Sequence, residues 1–113
     1  MRDGQSLQSA LMETMRDERS AIDQLAADGV AMACAQEKYR VALAAKTYEL
    51  READKMPVSL VNDLARGSRE VAALKRESVR AETMYEATRQ RIIQRRREAE
   101  TIREMIAREE GRR

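Results

Sequence analysis

Met56-Pro57-Val58-Ser59-Leu60-Val61-Asn62-Asp63-Leu64-Ala65-Arg66-Gly67 decides the fold, because it carries the one proline of the chain and separates two long runs of helical patterning. Pro57 disfavours α geometry at Met56, so a helix arriving from the amino-terminal side has to stop there. Ser59 is a candidate cap for a short helix whose Leu60, Val61 and Leu64 form one apolar face. Gly67 suits a left-handed C-terminus with positive φ. The stretch is expected to fold down over the ends of two long helices, with partner docking as its second possible role.

Upstream of it, apolar residues recur with a seven-residue period. One series is Leu11, Glu18, Leu25, Met32, Tyr39 and Lys46; the other is Met15, Ile22, Gly29, Gln36, Leu43 and Leu50. That pattern predicts a helix from about residue 6 to about residue 53. Gly29 is its weak point, costing about 1 kcal/mol against alanine in a helix interior, but the periodicity runs on through it. Downstream, Ser68 is placed to cap a second helix, with Glu70 facing the positive end of its dipole. Its series are Val71, Ser78, Tyr85, Ile92, Ala99, Ile106 and Leu74, Ala81, Thr88, Arg95, Ile102, Glu109. These predict a helix over about 68–110, with the tip at 54–67.

The expected architecture is therefore all-α, a single domain over residues 1–113. It is a long antiparallel helical hairpin of coiled-coil type with a short helix at its tip. Matching large residues to small ones across the pair suggests an alignment with Gly29 opposite Ile92, Ile22 opposite Ala99, and Tyr39 opposite Ala81. The same alignment places Leu50 on Val71 and Met15 on Ile106.

Composition narrows the chemistry. Of 113 residues, 37% are charged and 3% aromatic, with no Trp, Phe or His and a single Cys. A globular core normally draws on aromatics, so the balance favours long helices packed along a narrow seam. Zinc sites need several Cys or His ligands, and a nucleophile needs an adjacent base, so no catalytic residue, cofactor or metal is expected and the chain does not read as an enzyme. Cys34 has no partner for an internal disulfide, which fits a reducing cytoplasm. No charged–apolar–small segment opens the chain and no apolar stretch nears 18 residues, so neither export nor membrane spanning is expected.

Three groups of residues are candidates for function. The run Val30-Ala31-Met32-Ala33-Cys34-Ala35 is apolar or small on every side of a helix, and Val41-Ala42-Leu43-Ala44-Ala45 nearly repeats it. One seam cannot cover such a helix, so Val30, Ala31, Ala33, Cys34, Ala42 and Ala45 are predicted to self-associate, giving a homodimer and a partial four-helix bundle. At the tip, Tyr48, Leu60 and Arg66 are candidates for binding a protein partner. The third group is the arginine stripe Arg89, Arg96 and Arg103, within a carboxyl-terminal half of net charge +4 set against −2 for residues 1–56. The stripe would suit phosphates. With acids nearby and no aromatic stacking platform, pairing of Arg95–Arg97 with Asp23, Asp28 and neighbouring Glu is the favoured role, and nucleic acid is disfavoured.

Several segments resemble a family of small phage and prophage proteins. The resemblance rests on Lys38-Tyr39-Arg40-Val41-Ala42-Leu43-Ala44, the Met56–Gly67 stretch, Val71-Ala72-Ala73-Leu74-Lys75 and Ala81-Glu82-Thr83-Met84-Tyr85. It implies a phage origin and no established activity. It also implies a role in binding a host or phage protein in the host cytoplasm, as an anti-defence inhibitor or a recombination or replication accessory.

Overall fold

The computed structural model describes residues 4–112, which form three α-helices, one π turn and no strand. Helix α1 runs over Gly4–Tyr48 and passes into a π turn over Glu49–Ala53; α2 spans Val58–Gly67 and α3 spans Arg69–Gly111. By contact the chain divides into two compact units. Residues up to Ala27 group with those from Glu86 onward, and Asp28–Tyr85 form the second unit.

In the Asp28–Tyr85 unit, α1 and α3 meet in opposite order along their lengths. Gly29 faces Tyr85, whose ring carbon would lie 3.6 Å from a Cβ at that position. Further along, Lys75 sits 5.0 Å above the Tyr39 ring, a cation–π contact. The alignment expected from size matching is therefore one heptad out. Gly29 meets Tyr85 rather than Ile92, and Tyr39 meets Lys75 rather than Ala81. Every seven-residue step restores the same apolar pattern, so size matching alone does not choose between such alignments. In this unit the alignment is the one that sets Gly29 against Tyr85 and Tyr39 beneath Lys75.

The offset leaves the end of α1 projecting past the start of α3, and α2 covers it. Leu50, Val61 and Ala65 form a buried cluster, with Leu43 and Met56 packed against it. Leu50 thus packs on α2, not on Val71 as expected. The face of α2 that folds inward is Val61 and Ala65, at 3% and 0% exposure, while Leu60 and Leu64 stay 49% and 42% exposed. The expected Leu60/Val61/Leu64 face is corrected accordingly. Val61 and Ala65 lie four residues apart, one above the other on the helix, and the small Ala65 lets α2 approach closely.

The junctions also differ in chemistry from expectation. Pro57, not Ser59, occupies the N-cap of α2, with ψ 141° and no side-chain cap; its carbonyl accepts from the Leu60 and Val61 amides at 3.0 and 3.2 Å. Among the described residues no glycine has positive φ, and Gly67 is helical. The left-handed position is Lys55, at φ 55°, where the Met56 amide reaches back to the Leu50 carbonyl at 2.9 Å and closes the π turn. Ser68 does cap α3: its Oγ accepts from the Val71 amide at 3.4 Å and donates to the Ala65 carbonyl at 2.9 Å.

Along α3 both predicted series are buried or half-buried throughout. On α1 the series from Leu11 to Lys46 is likewise half-buried, and Gly29, Gln36, Leu43 and Leu50 are covered. Before Gly29 the second series shifts. Met15 and Ile22 are exposed at 45% and 43%, and Leu7, Thr14 and Ala21 take the covered positions. A straight α-helix drifts by about 20° per heptad against a strict seven-residue repeat. The α1 seam absorbs the drift with two successive steps of four, from Ala21 to Leu25 to Gly29.

Helix α1 continues through Gly29, so the glycine is a cost without a conformational need. A methyl there would meet the Tyr85 ring at ordinary contact distance. Gly29→Ala is expected to raise stability by about 1 kcal/mol, read as a higher urea midpoint. A lower midpoint would show that the ring needs the open notch.

Candidate functional site

The self-association candidates all lie on helical backbone in the Asp28–Tyr85 unit. Val30 is 66% exposed; Ala31, Ala33, Cys34 and Ala45 are exposed and Ala42 is half-buried. Val41, not singled out from the sequence, belongs with them at 64% exposure. Helical spacing puts Val30, Cys34, Val41 and Ala45 on the side of α1 away from its seam. Beside them runs an open groove of ≈ 590 Å³, with walls of Cys34, Val41, Ala42 and Ala45 from α1 and Leu74 from α3. Glu37 and Lys38 of α1 and Glu70 of α3 also line it, and neither Glu37 nor Lys38 is ion-paired with another described residue.

At the tip, Tyr48 is 70% exposed and Val58 66%, beside the exposed Leu60 and Leu64. Arg66 is held differently from the other tip candidates. Its Nη1 donates to the Tyr39 hydroxyl at 2.9 Å, and its Nε to Asn62 Oδ1 at 2.8 Å. Tyr39 therefore carries Lys75 over its face and Arg66 at its edge. Arg66 ties α2 to α1, and Leu60 and Tyr48 remain open.

The arginine stripe lies in the other unit. Asp17 is the centre of its electrostatics: one carboxylate receives Arg95 Nε at 2.6 Å, Arg91 Nε at 3.1 Å and a second Arg91 nitrogen. Arg95 also donates to Glu98 at 2.7 Å, and Arg96 to Glu18 at 3.2 Å. Arg89 pairs with Glu86 at 3.3 Å, and Arg103 Nη2 lies 3.8 Å from the Met15 sulfur. The expected pairing with neighbouring Glu is met by Arg95 and Glu98. Across the helices, Arg91 and Arg95 meet Asp17, and Arg96 meets Glu18. No composition signal distinguishes Asp17 from Asp23; only the alignment does.

Hydrogen bonds from Arg91 and then Arg95 hold the Asp17 carboxyl at about 2, below its ordinary 3.8. The same contacts raise both arginines further above their usual value. A carboxylate with a depressed pKa contributes stability above its unfolded pKa and loses it as pH falls through the folded one. Asp17 therefore contributes fully above about pH 4 and progressively less between pH 4 and 2. The slope of the melting midpoint over that window should flatten in Asp17→Asn. An unchanged slope would assign the acid sensitivity to other carboxylates.

Among the described residues, no three His, Cys, Asp or Glu are placed to hold a metal ion, and no helix is long and apolar enough to cross a membrane. No protein-family model, curated protein or solved structure matches the chain.

Proposed function

We propose that this chain is a non-enzymatic interaction protein: a long antiparallel coiled-coil hairpin that pairs with a second copy along α1 and docks a protein at its tip. The observation that carries the reading is apolar surface in excess of what the core uses. Leu50, Val61 and Ala65 close the core at the tip, yet Tyr48, Val58, Leu60 and Leu64 remain in water. Exposed apolar area costs roughly 25 cal/mol per Å², so a surface of this kind favours a partner. The resemblance to small phage proteins supplies the context, a host or phage protein as partner in the host cytoplasm. An anti-defence inhibitor or a recombination accessory acts in this way.

A photo-crosslinking residue at Leu60 in the full chain, expressed in cells, tests the tip. One discrete adduct that disappears in Leu64→Asp supports docking there; no adduct, or one indifferent to Leu64, removes it. Nucleic-acid binding through Arg89, Arg96 and Arg103 is the rival, and the pairing of Arg96 with Glu18 and Arg89 with Glu86 weighs against it. Binding to short DNA with a steep slope in log salt, lost when the three become alanine, would promote it.

A further inference from the structure

The outward face of α1 is spaced symmetrically, with apolar or small residues on both sides of a charged centre. About a centre between Glu37 and Lys38, Cys34 mirrors Val41, Val30 mirrors Ala45, and Glu37 mirrors Lys38. All of them are exposed, and the two charges at the centre have opposite signs with no ion-pair partner among the described residues. From this spacing and the opposite charges at its centre, and resting on the self-association proposed above, we infer that the second copy binds α1 antiparallel, across a two-fold axis at Glu37/Lys38.

Two-fold symmetry makes an interface self-complementary, so whatever one copy presents must be what the other accepts. On this axis each Glu37 lies against the partner copy's Lys38, which gives two opposite-sign contacts at the centre. Each Val41 lies over the partner copy's Cys34, and each Val30 over its Ala45. Large meets small on both sides of the axis, and the small residues allow the helices to approach closely. A parallel pairing would instead set Glu37 beside Glu37 and Lys38 beside Lys38, which is repulsive. The groove formed by Cys34, Val41, Ala42, Ala45 and Leu74 lies beside this face. It gives the partner's α1 a second wall from α3 and makes the contact four-helical.

The test is a charge swap read by sedimentation equilibrium under reducing conditions, with circular dichroism confirming helicity. Wild type is expected to be a dimer at tens of micromolar. Glu37→Lys and Lys38→Glu should each raise the dissociation constant tenfold or more, and the double swap should return it to near wild type. Oxidative trapping supplies a second reading. Val41→Cys should give covalent dimers through Cys34. Wild type should not, because two copies of Cys34 would be offset by about 10 Å along the axis, beyond disulfide reach. A wild-type monomer would overturn both the self-association and its geometry. A dimer whose double swap is no better than the single ones, or which crosslinks efficiently through Cys34 alone, would keep self-association and overturn the antiparallel axis.

Discussion

Replacing Val61 with aspartate is expected to detach α2 and open the distal end of the Asp28–Tyr85 unit. Val61 is 3% exposed and packs with Leu50 and Ala65 in a small buried cluster flanked by Leu43 and Met56. Burying a carboxylate there would cost about 3–4 kcal/mol, more than so small a cluster can offset, so the helix would leave instead. The opening should be local. Amides of the π turn and α2 would lose hydrogen-exchange protection, and those around Asp17 would keep theirs. Leu60→Asp, one residue away on the exposed face, should leave exchange unchanged. Equal loss from the two variants would mean that the inward face of α2 has been misassigned.

Enlarging Ala99 to leucine should lower stability by about 1–3 kcal/mol. Ala99 is 2% exposed and Ala21 0%, so the seam of the other unit is close-packed around methyl groups and three more carbons must displace something. Ala107→Leu, on the exposed face of the same helix, provides the control and should stay within about 0.5 kcal/mol of wild type. The comparison is read from urea midpoints at equal m. A tolerated Ala99→Leu would show that the seam has room that its burial does not indicate.

What was legible in the sequence was whatever depends on period and on local caps. The α3 seam followed from its seven-residue series, Ser68 from its position before Glu70, and the stop at Pro57 from the residue before a proline. What was not legible depends on relations between distant residues. An alignment and its one-heptad neighbour bury the same residue types, so the seven-residue series does not separate them. The cap and glycine assignments at the tip failed for a different reason. Helix α2 leaves Gly67 helical and turns at the extended Ser68, while the left-handed position lies after the π turn at Lys55, a residue type with no preference for it. Of the self-association residues, sequence placed Val30, Cys34 and Ala45 on helix; Val41 heads the second apolar run but was not among the named candidates, and its 64% exposure adds it to them.

Lys55 has one more consequence. The chain has 22 lysines and arginines, and those from Arg16 to Arg108 lie in helix or π turn with one exception, Lys55 in the segment between Ala53 and Val58. Proteases take substrate in extended form, so helix shields the other bonds while the one after Lys55 is open to trypsin. A brief digestion would nick the chain there first and leave two pieces of similar length. Each compact unit draws on both pieces, so the nicked protein would stay assembled, and the same two pieces made as separate chains would find each other.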